Sequence, residues 1–177
     1  HLKEIMEAKE RKGSNLTYLA VEPDGYDTKR SYPMVVLLHG FGSHMGDLAG
    51  LTPVIDRENY LYICPNAPIS VDIGGGISGY AWAPIGETFT VEEHHAEELL
   101  AGLFDEVIEE YGIEPGAAVL GGFSQGAMMT YRNGLIAPEQ FSGLAVLSGS
   151  VREPDQLRVR LPDDRDQAIF VAHGVAD

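Results

Sequence analysis

The chain of 177 residues has a single cysteine and no long apolar run. Cys64 has no partner for an intrachain disulfide, so the cysteine count leaves the redox compartment open. Because Cys64 ends the apolar run 60–63, we expect a buried and unreactive thiol. No apolar stretch reaches the ~20 residues that a transmembrane helix needs, so we expect no membrane span.

Basic side chains are scarce, with 12 Lys and Arg against 27 Asp and Glu and a formal net charge of −15. Such a surface repels phosphate backbones and anionic lipid heads, so we expect neither nucleic acid nor a membrane surface as a partner. A signal-peptide pattern and a starting Met are also absent. The absence of a signal-peptide pattern slightly favours the cytoplasm, whereas the absence of a starting Met leaves secretion open.

Short apolar runs alternate with helical patterns along the chain. Residues 34–38 are continuously apolar and bounded by turn residues, which is typical of a strand buried on both faces. The same patterns predict an edge strand at 15–21, further strands at 60–63, 117–120, 143–147 and 168–172, helices at 48–55, 90–111 and about 126–135, and a short helix or loose lead-in at 1–14. This alternation predicts one α/β domain with a mainly parallel sheet and helices on both faces.

The helix at 90–111 has the clearest boundaries. Thr90 and Glu93 form a capping box, and the acidic residues of 92–98 are interpreted as a solvated helix face. His94 and His95 are adjacent, so their side chains diverge and no metal site is expected there. The preceding segment, 65–90, is rich in Pro and Gly and is predicted to be a long functional loop.

Gly122-Phe123-Ser124-Gln125-Gly126 carries the strongest chemical signal. A strand precedes this motif and a helix follows it, which is the context of a nucleophile elbow. Glycines at both ends let the strand and the helix pass closely. Ser124 is therefore the predicted catalytic nucleophile.

A serine nucleophile needs an oxyanion site, a base and an acid that orients the base. The loop after strand 34–38 predicts the backbone N–H of Phe41 as one oxyanion donor, and the N–H of Gln125 as the other. Asp177 follows a later strand and is the predicted acid, since the chain order in this fold is Ser, Asp, His. His39 and His173 are interpreted as structural.

These motifs resemble the phospholipase/carboxylesterase family of α/β-hydrolases, which includes acyl-protein thioesterases and bacterial carboxylesterases. The matching pieces lie between residues 38 and 177 in the family's order: Leu38-His39-Gly40-Phe41-Gly42, Cys64-Pro65-Asn66-Ala67-Pro68, Gly121 to Gly126, Leu147-Ser148-Gly149, and His173-Gly174 with Asp177. The resemblance implies hydrolysis of carboxylic or thio esters without metal or cofactor. Dienelactone hydrolases are a related branch with a cysteine nucleophile, from which Ser124 departs.

The resemblance also implies a catalytic histidine beyond the acid, after another helix and strand. No histidine of this chain lies there. We therefore expect 1–177 to be a single α/β-hydrolase domain truncated after Asp177, without the C-terminal strand and helix, and inactive alone. We expect a C-terminal fragment, or another copy of the chain, to cover the truncated face. An inactive natural polypeptide is the alternative.

Met45, Trp82 and Met128 are predicted to line an apolar acyl pocket, with ordinary core packing as the alternative. The predicted activity is that of a serine carboxylesterase acting on small neutral esters. A thioesterase, a lysophospholipase, a peptidase or an acyltransferase on the same scaffold is an alternative. A non-catalytic, hydrolase-like binding domain is an alternative of another class.

Overall fold

The computed structural model describes residues 6–86 and 90–177. The strands within these ranges are β1 (Glu7–Lys12), β2 (Thr17–Glu22), β3 (Met34–Leu38), β4 (Leu61–Pro65), β5 (Ile69–Asp72), β6 (Ser78–Ala81), β7 (Ala118–Phe123), β8 (Phe141–Leu147) and β9 (Ala168–Ala172). The helices within them are α1 (Met45–Ala49), α2 (Thr52–Ile55), α3 (Val91–Tyr111), α4 (Gln125–Gly134) and α5 (Pro154–Arg160).

Seven strands form one sheet in the order β1-β2-β4-β3-β7-β8-β9. Neighbours from β4 to β9 are parallel, whereas β1 and β2 pair antiparallel with each other and β2 with β4. Alternate residues of β3 serve opposite faces: Met34 and Val36 join the core under α3 and α4, and Val35 and Leu37 face a smaller cluster that includes Ala49 of α1. The predicted α/β class, with a mainly parallel sheet and helices on both faces, is confirmed.

The N-terminal part of the sheet differs from the sequence-based prediction. Residues 7–12 form strand β1 rather than a short helix, and β2 is an inner strand rather than an edge. As an outermost strand, β1 leaves most of its charged side chains in water, and Lys9 Nζ pairs with Glu22 Oε2 across the ladder at 2.7 Å. A strand at a sheet edge tolerates such charges, which is why the alternation of apolar residues missed it.

Two central segments also differ. The single helix predicted at 48–55 is two short helices, because Pro53 fits the first turn of α2 and not the interior of a longer helix. Leu51, Val54 and Ile55 are exposed, so their helical spacing does not mark a core face. The loop predicted at 65–90 contains the β5–β6 hairpin, whose turn has positive φ at Gly74, Gly75 and Gly76.

Helix α3 begins and ends as predicted, but the burial of its acidic face differs from the prediction. Thr90 Oγ1 accepts the Glu93 N–H at 3.1 Å, and Gly112 ends the helix with a φ of 59°. The interpretation of the acidic residues as a solvated face was wrong for Glu93 and Glu97, which are buried. Arginines from later in the chain form ion pairs with both carboxylates, and sequence periodicity does not predict such pairs.

Among the described strands β9 lies at the edge of the sheet next to β8, and it is exposed along its whole length. Ile169, Phe170 and Val171 are 47%, 63% and 53% accessible, so an apolar strand lies open to solvent at this edge. The predicted acid follows directly after this strand.

Candidate active site

Ser124 lies at the turn between β7 and α4, at the carboxyl end of an inner strand of the sheet. Its φ of 54° and ψ of −115° are outside the regions that residues with a Cβ normally occupy. The surrounding packing therefore holds Ser124 in a strained conformation, as in a nucleophile elbow.

Two glycines make the elbow possible. A Cβ on Gly126 would collide with the carbonyl oxygen of Leu38 and lie 2.6 Å from that of His39. A Cβ on Gly122 would collide with the Gly126 carbonyl group and lie 2.9 Å from the Ala127 nitrogen. Because all these atoms belong to the backbone, the close passage of β3, β7 and α4 requires glycine at both positions.

The backbone of Ser124 is fixed while its hydroxyl is not. The Ser124 N–H donates to the Leu147 carbonyl at 2.9 Å, which ties the elbow to the end of β8. The Ser124 carbonyl accepts from the N–H groups of Ala127 and Met128 in the first turn of α4. Its hydroxyl has no hydrogen bond with any residue the structure describes, so the hydroxyl is available for a substrate.

The loop after β3 passes beside the elbow. A Cβ on Gly40 would lie 3.4 Å from the Ser124 Cβ, so residue 40 packs closely against the elbow. Gly42 donates its N–H to Tyr80 at 2.8 Å, which holds the loop against β6. Neither the Phe41 N–H nor the Gln125 N–H donates to another described residue, and both residues line the same cleft as Ser124. The two predicted oxyanion donors thus belong to residues of the cleft wall and have no acceptor among the described residues.

His39 is buried and fully engaged. Its Nε2 accepts the Ala67 N–H at 3.0 Å, and its Nδ1 donates to the Gly40 carbonyl at 2.7 Å. Burial lowers the pKa of His39, which keeps the ring neutral. With both ring nitrogens used to shape the loop, His39 has no lone pair left for Ser124.

Asp177 lies after β9, on the same edge of the sheet as Ser124, because β7, β8 and β9 are parallel. Its Oδ2 accepts the Gly174 N–H at 3.3 Å in a short turn, and its side chain is exposed. No histidine among the described residues forms a hydrogen bond with Ser124 or with Asp177. The predicted acid and the predicted nucleophile thus lie at the same edge of the sheet.

A cleft of about 240 Å³ opens beside Ser124. Its walls are Phe41, Ala83, Pro84, Ile85, Gly86, Glu93, Ser124, Gln125, Met128 and Arg152. Met128 is therefore in the cleft wall, whereas Met45 and Trp82 are not. Trp82 is completely buried and donates its Nε1–H to the His39 carbonyl at 2.9 Å, and the Met45 N–H donates to Asn66 Oδ1 at 2.6 Å.

The side chain of Gln125 connects the elbow to the cleft wall. Its Oε1 accepts the Trp82 N–H at 2.7 Å, and its Nε2 donates to the Ala83 carbonyl at 2.8 Å. This pair of bonds clamps the backbone of 82–83 beside Ser124. The sequence motif alone predicted only the backbone N–H of Gln125.

A charged pair, Glu93 with Arg152, forms part of the cleft wall and was missed in the sequence. The Glu93 carboxylate contacts Arg152 Nε and Nη2, each at 3.4 Å. Burial raises the pKa of Glu93, against the opposing effect of the Arg152 charge. The two residues are 59 positions apart, so no local pattern could have paired them.

Within the described residues, no cluster of His, Cys, Asp or Glu has the arrangement of a metal site. Nor does any helix in ranges 6–86 and 90–177 combine the length and apolarity needed to cross a membrane.

A serine elbow at the carboxyl edge of a mainly parallel sheet, followed in the chain by an acid after a later strand, defines the α/β-hydrolase class. The phospholipase/carboxylesterase family model matches residues 25–177, and the chain belongs to that family. The family resemblance seen in the sequence motifs is confirmed.

Similar proteins of known name agree with this assignment. Acyl-protein thioesterase 1 of Emericella nidulans is 29% identical over 169 residues, covering 84% of this chain and 71% of that protein. Acyl-protein thioesterase 1 of Yarrowia lipolytica is 30% identical over 155 residues, covering 81% and 68%. The crystal structure of esterase PE8 has a TM-score of 0.71 at 24% identity and covers 90% of each chain, which supports the fold. The chain is thus a hydrolase of the ester and thioester class.

Proposed function

We propose that this domain is a serine carboxylesterase that hydrolyses small neutral esters through an acyl-enzyme on Ser124. The observation that carries the proposal is the strained elbow, which holds Ser124 at the cleft with its hydroxyl unengaged by described residues. Strain at a non-glycine residue persists only where the surrounding structure enforces it, and it clusters at functional sites.

The proposed reaction has two steps. Ser124 Oγ attacks the ester carbonyl carbon and passes its proton to an imidazole, while the N–H groups of Phe41 and Gln125 hydrogen-bond the oxyanion. Collapse of this intermediate expels the alcohol, which takes the proton from the imidazolium. Water then repeats the sequence on the acyl-enzyme, releases the acid and regenerates Ser124.

The proposed base is a histidine that follows Asp177 in the full-length protein, and Asp177 orients it. The chain order of nucleophile, acid and histidine in this fold supports that position. The engagement of both His39 ring nitrogens supports it as well, because the described histidine nearest in sequence to the oxyanion loop has no free nitrogen.

A thioester is the second candidate substrate, since curated relatives are acyl-protein thioesterases. The discriminating experiment compares kcat/KM of the full-length protein for p-nitrophenyl butyrate, a butyryl thioester of N-acetylcysteamine and a butyryl-capped peptide anilide. The carboxylesterase proposal expects the oxygen ester to be the best substrate after correction for its spontaneous hydrolysis. A higher corrected value for the thioester or the anilide would replace it with a thioesterase or a peptidase.

Ser124→Ala is the matched variant for the nucleophile. We expect it to fold like the parent and to lose at least about a thousandfold in kcat/KM, since a triad acts as a unit. A fluorophosphonate probe should label the parent and not the variant. A folded full-length protein that resists the probe and hydrolyses none of the three compounds would indicate a binding domain instead. The position of the base is tested by comparing the esterase activity of residues 1–177 alone with that of the full-length protein. The proposal expects activity only in the full-length protein.

A further inference from the structure

The buried pair Glu93–Arg152 forms part of the wall of the cleft. Glu93 belongs to the first turn of α3, and Arg152 follows β8. Their side chains are only 2% and 14% accessible, and both line the cleft that contains Ser124. Charged side chains are rarely buried this deeply unless they are paired, as these two are.

The pair is held in place from both sides. Arg152 Nη1 donates to the Gly86 carbonyl at 3.1 Å, and Arg132 Nη1 donates to the Arg152 carbonyl at 3.2 Å. The backbone N–H of Glu93 is fixed by the Thr90 hydroxyl. Because backbone and side-chain contacts both restrain it, the pair cannot easily turn away to make room for a ligand.

Most of the remaining wall is apolar and includes Phe41, Pro84, Ile85 and Met128. At about 240 Å³ the cleft is smaller than the roughly 300–1,000 Å³ of ordinary small-molecule sites. A long alkyl chain that filled it would press methylenes against the ion pair and exclude its remaining water. Desolvating a charge without replacing its hydrogen bonds is unfavourable.

We infer that the Glu93–Arg152 pair ends the acyl site and makes the enzyme selective for short acyl groups over long apolar ones. The inference rests on the proposed function. We assign the cleft to the acyl group because that group stays attached to Ser124 after the alcohol has left, and Ser124 and both proposed oxyanion donors line the cleft. Glu93 and Arg152 are specificity-determining residues here and take no part in bond making.

The first test needs no substitution. For p-nitrophenyl esters of two, four, eight and twelve carbons, kcat/KM of the full-length protein should fall at least tenfold from butyrate to octanoate. A preference for octanoate or dodecanoate would overturn the inference while leaving an esterase. Hydrolysis of none of these esters would overturn the proposed function itself.

The second test replaces both partners, Glu93→Met with Arg152→Met, so that neither charge is left buried alone. In the folded double variant the octanoate-to-butyrate ratio of kcat/KM should rise at least tenfold. The matched control is Lys9→Met with Glu22→Met, which removes an ion pair between β1 and β2 that does not line the cleft. An equal rise in the control, or an unchanged ratio in the folded cleft variant, would refute a role in acyl selection. Arg152→Lys, which keeps the charge, should retain the parental ratio.

Discussion

Replacing Gly126 with alanine tests the packing of the elbow, because the site depends on a strand, a loop and a helix meeting at this residue. The added Cβ would collide with the carbonyl oxygen of Leu38 and come within 2.6 Å of the carbonyl oxygen of His39. Neither atom is the flexible end of a side chain. Leu38 ends β3, whose neighbours in the sheet are β4 and β7, so relief would require movement of an inner strand or of α4.

The expected loss follows from the cost of overpacking, which is typically about 1–3 kcal/mol. We expect the upper end, about 3 kcal/mol, because the obstacle is backbone. For a domain of this size each kcal/mol moves the melting temperature by roughly 2–4 °C. Urea unfolding monitored by circular dichroism gives the free energy, and the butyrate assay gives the accompanying loss of activity.

Gly102→Ala is the matched control. Gly102 lies in the exposed middle of α3, and a Cβ there meets nothing within 4 Å. Alanine in a helix interior is favoured over glycine by about 0.5–1 kcal/mol, so this variant should be more stable than the parent. If Gly126→Ala matched the parent within about 0.5 kcal/mol, the tight passage of α4 over β3 would be refuted.

Three further predictions concern strain, pH and buried charge. Ser124→Gly should be about 1 kcal/mol more stable than Ser124→Ala in urea unfolding, because glycine accepts a φ of 54° without the strain of a Cβ; equal stabilities would contradict the strain. Burial lowers the pKa of His39, so below pH ~6.5 the unfolded state binds a proton that the folded state resists, and stability falls as pH falls through that window. His39→Gln should flatten this part of the stability profile, and an identical slope would exclude His39 as the cause. Arg132→Met should lower the free energy of unfolding by about 3 kcal/mol, because part of the Glu97 charge is left buried without its partner. Adding Glu97→Met should make this loss smaller. Equal stabilities of the single and double variants would refute the pairing.

Local signals predicted the elements that carry the elbow. The strand at 34–38 and the helix limits at Thr90 and Gly112 agree with the structure, because apolar runs, caps and positive-φ glycines act over a few residues. The Ser124 motif marks a tight turn partly for the same reason, because Gly122 must clear the backbone of Gly126 and Ala127, although Gly126 must also clear the distant carbonyls of Leu38 and His39.

Longer-range features were not predictable in this way. Strand β1 is charged and exposed, and only its pairing with β2 makes it a strand. The β5–β6 hairpin depends on contacts with the loop after β3, such as the hydrogen bond from Gly42 to Tyr80. In both cases the hydrogen-bond partners come from elsewhere in the chain.

The sequence by itself determined that Ser124 would lie at a tight turn between a strand and a helix. Only the tertiary structure decided that Trp82 is core rather than cleft wall, and that Glu93 meets Arg152 in the wall of the cleft that Ser124 also lines. The physical reason is the range of the interactions. A turn is specified by the steric limits of adjacent residues, whereas a buried charge is stable only beside a partner that folding brings to it from 59 residues away.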